Sequence, residues 1–182
     1  MSNASITKAA LAQAMKECMA TTPFAKISIG NICNKCGLNR KSFYYHFRDK
    51  YELINWIYET EIGHTVREEL SDKHTSELAL MICEYFEQNK VFYSNALEVT
   101  GPNSFRDYFE RNLEPLVVQT LHVDGPSPFD SKELTAVVSD FCLSAIQRWL
   151  KSNSNMDSKQ FLENLTTVSI KLAARFLELL GN

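Results

Sequence analysis

SIGNICNKCGLNRKSFYYHFRDKYEL, residues 28–53, decides the fold. Its first half sets Ile29, Ile32, Cys33 and Cys36 at i, i+3, i+4 and i+7, an apolar stripe on a helix of barely two turns, with Asn31, Asn34 and Lys35 turned to water. Ser28 ahead of the stripe can accept a free backbone N–H as an N-cap. Gly37 behind it can take the left-handed conformation that ends a helix. Asn39 then caps a second helix carrying Arg40, Lys41, Ser42, Phe43, Tyr44, Tyr45 and His46. Two helices joined by a short glycine turn make a helix-turn-helix. In such a motif the second helix seats in the major groove, where Arg40 and Lys41 can reach guanine O6 and N7 or nearby phosphates. Asp49 and Glu52 form an Asp-x-x-Glu variant of the capping box and start the next helix. Lys50, a cation beside that helix's free N–H groups, reads as a phosphate clamp, and Ser28 can act likewise.

Outward from this stretch the pattern stays helical. Leu11, Ala14, Met15, Cys18 and Met19 predict helix 1 over about Thr7 to Thr21, packed on the stripe of helix 2. Pro23 to Ile27 turns the chain, with Phe24 and Ile27 as apolar plugs. Helix 4 continues through Leu53, Ile54 and Ile57 towards Leu70, long enough to join a head to a body. After a polar linker, SDKHTS at 71–76, the residues Leu78, Met81, Ile82, Tyr85 and Phe86 predict another amphipathic helix. Gly101 and Pro102 break the chain, and Asn103 is placed to cap a helix bearing Phe105, Tyr108, Phe109, Leu113 and Leu116, which Pro115 should kink or restart. DGPSPFD at 124–130 is a turn-rich loop. Two longer helices follow, at about 131–151 and 158–180, and nothing alternates as a strand does. The expected fold is all-α, with an N-terminal three-helix head over residues 5–50 and a helical body over 51–182.

The last two helices are apolar over wide arcs, which one body cannot easily bury. A homodimer through Phe141, Ala145, Trp149, Phe161, Leu165, Val168, Leu172 and Phe176 is expected, the alternative being that both helices are central in the chain's own core. Tyr85, Phe86, Phe92, Tyr93, Phe105, Tyr108 and Phe109 concentrate aromatic rings in the middle of the body. They read either as the wall of an effector pocket for an organic ligand or as plain core.

Charge divides by region. Residues 1–60 hold eight Lys/Arg against four Asp/Glu, net +4; the remaining 122 hold eleven against eighteen, net −7. A basic third on an acidic body is the footprint of a chain whose first third alone meets nucleic acid. The longest apolar run is six residues, Leu78–Cys83, far short of a membrane span, and the start of the chain lacks a signal-peptide core, so a cytoplasmic protein is expected. Five cysteines without a disulfide framework agree with a reducing compartment. Cys33-x-x-Cys36 invites a metal or redox reading, but no second pair completes a four-ligand zinc set and both thiols lie on the apolar stripe. His64, His74 and His122 show no ligand spacing. Without a phosphate-binding glycine loop, a nucleophile elbow or paired carboxylates, neither an enzyme nor a cofactor or metal is expected.

The run GLNRKSFYYHFRDKYEL, with helix 1 and the Pro-Phe-x-x-Ile-Ser connection before it, resembles the DNA-binding head of TetR-type bacterial transcription regulators. The resemblance implies a homodimer on a pseudo-palindromic operator in double-stranded DNA. Tyr44 and Tyr45 would approach phosphates or thymine methyls, His46 a phosphate, while Phe43 and Phe47 fill the core. The expected contacting set is Ser28, Asn39, Arg40, Lys41, Ser42, Tyr44, Tyr45, His46 and Lys50, with structural roles open for Tyr44 and Arg40. NKVFYSNALEVTGPNSFRDYF, residues 89–109, is similar to the dihydroxyacetone kinase regulator group of TetR-type proteins. That likeness implies control either by a small organic effector or, as for a co-activator, by a ligand-sensing partner protein. A protein-interaction adaptor with weak DNA binding of its own is the alternative, and the basic set Arg40, Lys41 and Lys50 stands against it.

Overall fold

Helix α1 (Asn3–Met19) turns Leu11, Ala14, Met15 and Met19 inward at helical spacing, with Cys18 half-buried beside them. The structure, a computed structural model, describes residues 3–71, 73–121 and 132–180, and every regular element among them is helical. A short 3-10 turn (Phe24–Lys26) follows, and both plugs, Phe24 and Ile27, are buried.

Local chemistry punctuates the next three helices. At the start of α2 (Ile29–Cys36) the Ser28 hydroxyl accepts from Asn31 N at 3.2 Å, and Asn31 Oδ1 accepts from Ser28 N at 2.8 Å, a capping box with Asn in the returning position. Gly37, at φ +69°, ends it in the left-handed region. Asn39 caps α3 (Arg40–His46) through Ser42 N at 2.8 Å. Asp49 Oδ1 accepts from Tyr51 N and Glu52 N at the start of α4 (Lys50–Tyr58), while the Glu52 carboxylate takes Arg48 N at 2.6 Å, one residue before the cap. On α2 the thiol of Cys33 is buried and pushed up in pKa by that burial, and Cys36 Sγ points back at Ile32 O. No metal-holding cluster exists among the described residues.

The long helix expected from Asp49 to Leu70 is not uniform. It widens into a π-helical turn (Glu59–Gly63), where His64 N bonds Glu59 O five residues back, before α5 (His64–Glu68). The extra residue carries Ile62 and Val66 inward and leaves Glu59 and Glu61 on the side facing α1 and the body. At Gly63 an added Cβ would stand 2.7 Å from Tyr58 Cε1 and 3.0 Å from both Tyr58 Cδ1 and Glu59 Oε2, so a larger residue forces its neighbours to shift.

Tyr58 is the hub of the body. Its ring meets those of Phe86, Tyr93, Phe105, Tyr108 and Phe109 at centroid distances of 5.4–6.5 Å, mostly edge to face. These come from α6 (Thr75–Gln88), α7 (Lys90–Ala96) and α8 (Phe105–Leu121). The N-cap of α8 is Ser104, whose buried hydroxyl accepts from Asp107 N at 3.2 Å; Asn103, expected in that role, sits one residue too early at φ +67°. α8 runs on through Pro115 instead of restarting, since Pro115 is exposed and water can reach the carbonyl it leaves unbonded.

α9 (Lys132–Lys151) and α10 (Ser158–Leu180) close the body. Trp149 and Phe161 stack at 4.5 Å, and Trp149 Nε1 donates to Met156 O at 2.9 Å. These two, expected at a dimer interface, therefore lie in the chain's own core, and Ala145 and Leu165 are half-buried against it. Phe141, Val168 and Leu172 are exposed, together with Val137 and Ile170. The side chain of Phe176, the 124–130 loop and His122 lie outside the described residues.

The close approach at the π turn yields a test. Gly63→Ala is expected to cost about 1–3 kcal/mol, because the buried Tyr58 ring has nowhere to retreat. Urea denaturation followed by circular dichroism measures it, and an unchanged midpoint would show that the turn relaxes freely.

Candidate nucleic-acid interface

α3 is seven residues long and is held by its inner face. Phe43 and Phe47 are buried, Phe47 packs on Trp56 at 5.7 Å, and Lys8 Nζ lies 5.5 Å from the Phe47 ring and 5.6 Å from the Trp56 ring. Helical spacing then sends Arg40, Lys41, Tyr44 and Tyr45 outward together. Tyr44 is 58% and Tyr45 83% exposed, unusual for rings this large unless they serve a surface. Among the described residues neither Arg40 nor Lys41 makes an ion pair, so both charges are available to an anion. The face offers two cations for phosphates or guanine edges and two phenols for stacking and hydrogen bonding.

Arg40 is placed across the neighbouring helix. A Cβ on Gly30 would come within 2.9 Å of Arg40 Nη2, so the guanidinium rests on the first turn of α2 and glycine makes room for it. His46 is half-buried, its ring edge-on to Tyr45 at 4.9 Å. Asn39 and Ser42 hold one another, Asn39 Oδ1 accepting both Ser42 N and Ser42 Oγ. Ser28 Oγ is likewise engaged with Asn31, donating to Oδ1 at 2.5 Å. These three set the start of each helix before they offer anything to DNA.

Lys50, expected to face a phosphate, is engaged within the fold. Its ammonium donates to the carbonyls of Phe24 at 2.8 Å, Ile27 at 2.8 Å and Ala25 at 3.4 Å, and it lies 4.3 Å from the centroid of the Phe24 ring. All three of its donors are turned inward, and burial lowers its pKa. It pins the first turn of α4 to the segment that leads into α2, and in this arrangement it is not a free phosphate clamp.

The aromatic group of the body also has a clear placement. Phe86, Phe92, Tyr93, Phe105 and Phe109 are buried, Phe86 stacks on Tyr93 at 4.3 Å, and Tyr58 fills the middle. Tyr85 and Tyr108 are half-buried, with their hydroxyls on Glu61 and Glu59. They form a closed core and do not wall a pocket. A partly open apolar cavity of about 110 Å³ is lined by other side chains, among them Ile82, Cys83, Leu113, Leu116 and Cys142. That is well below the roughly 300–1,000 Å³ of most ligand pockets. Burial pushes the Cys83 thiol up to about 12, so it lines this cavity as a small hydrophobe.

Sequence reasoning passed over Asn95, on α7. Its amide makes three hydrogen bonds to the backbone of residues 19–24, in the head. An amide close to the buried Tyr93 and Ala96 on a short helix was the available signal.

Comparison with known proteins follows the same division. A family model described as bacterial regulatory proteins, tetR family, matches residues 6–57, and one described as transcriptional regulator C-terminal region matches residues 73–171. The HTH-type dhaKLM operon transcriptional activator DhaS of Lactococcus lactis subsp. lactis is 24% identical over 117 residues, which is 64% of this chain and 62% of that one. The chain thus matches just under two thirds of that relative's length. Two solved structures share the fold. A dihydroxyacetone kinase operon activator DhaS superposes with TM-score 0.62 at 19% identity, covering 92% of this chain and 98% of that one. A TetR transcriptional regulator from Streptococcus agalactiae superposes with TM-score 0.68 at 22% identity, covering 91% and 94%. Members of the family bind DNA operators and usually act as dimers; they and these relatives are transcriptional regulators, not enzymes. No helix among the described residues is long and apolar enough to cross a membrane. The C-terminal model alone spans more than half of the chain, the N-terminal one its helix-turn-helix, and the chain belongs to the TetR family of bacterial transcriptional regulators.

Proposed function

We propose that this protein is a sequence-specific DNA-binding regulator. It works in the cytoplasm as a homodimer that sets two copies of α3 into successive major grooves of a pseudo-palindromic operator. The observation that carries this reading is the outward face of α3, where Arg40, Lys41, Tyr44 and Tyr45 stand exposed on a helix anchored by Phe43 and Phe47. The head at 5–50 reads DNA, and the body at 51–182 pairs the copies through the exposed Phe141, Val168 and Leu172. A two-fold pair then spaces its recognition helices about one DNA turn, roughly 34–36 Å, apart. The names of the Lactococcus relative and of the solved DhaS structure support, as a target, an operon for a dihydroxyacetone kinase, with activation as the sign. The closed aromatic core supports control by a ligand-sensing partner protein over control by an effector bound inside this chain.

Fluorescence-anisotropy titration with fragments from upstream of its own gene and of the neighbouring genes, at several salt concentrations, tests the reading. Tight binding to one fragment, weakening steeply with salt, is expected. Equal, weak binding to every fragment would overturn sequence-specific recognition by this chain alone and favour the co-activator or adaptor reading. Arg40→Ala should cost about 1–3 kcal/mol of operator affinity and relax base preference. Lys50→Met should instead lower the stability of the DNA-free protein by roughly 1–3 kcal/mol, because three carbonyls lose their donor. Urea denaturation without DNA checks the latter. An unchanged midpoint, with uniformly weaker binding to all fragments, would return Lys50 to the role of phosphate clamp.

A further inference from the structure

Helix α1 ends at Met19, and the carbonyls of a last helical turn have no partner within their own helix. Here one comes from far along the chain. Asn95 Nδ2 donates to Met19 O at 3.2 Å and to Thr22 O at 2.9 Å, and Asn95 Oδ1 accepts from Phe24 N at 2.7 Å. Both amide hydrogens and the amide oxygen are thereby used on one stretch of head backbone. Phe24 is in turn the residue that Lys50 grips by its carbonyl and its ring, and its ring meets Tyr51 edge-on at 5.1 Å. The segment leading into the helix-turn-helix is therefore held on one side by α4 and on the other by α7.

α7 is fixed to the body with equal care. Gln147 Nε2 on α9 donates to Leu97 O at 3.1 Å, and Lys90 Nζ donates to Ser152 O at 2.9 Å at the end of α9. α9 also carries the exposed Val137 and Phe141. A second link runs parallel, from Lys16 of α1 to Glu61 at 2.5 Å and on through the hydroxyls of Tyr85 and Tyr93.

We propose that Asn95 is a positioning residue that fixes the angle of the DNA-reading head on the body, so that the spacing of two heads is set through α7 by the helix α9. The inference rests on the DNA-binding reading above for its consequence, but not for its geometry. It makes Asn95 necessary for simultaneous use of two half-sites and unnecessary for the chemistry of either one.

Two variants and two readouts test it. Asn95→Asp keeps the size and the acceptor for Phe24 N, loses both donors and sets an oxygen against the carbonyls of Met19 and Thr22. Asn95→Ser removes the reach altogether. Spin labels on keto-bearing residues introduced at Asn34 of the head and Glu84 of the body, in spin-diluted protein without DNA, give the intramolecular head-to-body distance distribution. Both variants should broaden it relative to the wild type. Operator affinity should fall about tenfold while affinity for a single half-site stays within about twofold, because a loosened head lowers the effective concentration at the second half-site. An unchanged distance distribution in either variant that melts as a folded protein would overturn the proposal. So would equal losses on half-site and full operator, which would place the damage within the head. If wild-type protein binds no fragment, the DNA-binding reading fails by itself, and the distance distributions still decide the tie.

Discussion

The head and the body share one helix, and that helix changes register between them. Up to Tyr58 it turns Leu53, Ile54 and Ile57 into the core; beyond the π turn it does the same with Ile62 and Val66. A uniform α-helix would have carried Glu61 to the inner position four residues after Ile57. The inserted residue puts isoleucine there instead and sends two carboxylates sideways. Glu61 takes Lys16 of the head and the Tyr85 hydroxyl; Glu59 takes Arg67 and the Tyr108 hydroxyl at 2.8 Å. One local distortion thus supplies both the packing of Tyr58 and the polar joint between the halves.

Charge in the head divides into what is held and what is offered. Lys8 lies over Phe47 and Trp56, Lys16 is paired with Glu61, and Lys50 is coordinated by carbonyls; each stabilises the frame that carries α3. Arg40 and Lys41, with no ion pair among the described residues, lie on the outer face. The excess positive charge of residues 1–60 therefore overstates what DNA would meet, because part of it is neutralised within the fold. The same separation applies to the polar side chains. Ser28, Asn39 and Asp49 accept the first backbone N–H groups of three successive helices, so they decide where α2, α3 and α4 begin.

Legibility in the sequence follows the range of each interaction. The caps of α2, α3 and α4 and the glycine turn could be read because each partner lies within four residues, whereas Phe43 and Phe47 were expected in the core from the family resemblance. The π turn left a trace too, a step of five from Ile57 to Ile62, though such a step reads equally as a helix ending. The acceptors of Lys50 lie 23–26 residues back and the partners of Asn95 lie 71–76 residues away, so neither set of contacts is legible in the local sequence. Trp149 and Phe161 had the spacing of an interface, but each finds the other across the turn between α9 and α10. Periodicity tells which face of a helix is apolar; it does not tell what faces it.

The aromatic group carries that distinction furthest. Seven rings at helical spacing suit a pocket wall as well as a core, and the deciding residue is Tyr58, which arrives from the head-bearing helix and occupies the space between them. Opening a ligand site there would expose at least Tyr58, Phe86, Phe105 and Phe109. At about 1.5–3 kcal/mol for each large side chain, the cost is roughly 6–12 kcal/mol. A ligand shifts an equilibrium only by its differential affinity for the two states, and a micromolar ligand has about 8 kcal/mol in total. An effector entering this core would have to displace the Tyr58 ring and cover the surfaces it leaves. A partner acting on the outer surface of α9 and α10 meets no such cost, and the hydrogen bonds from α9 to α7 and from α7 to the head give its influence a short path.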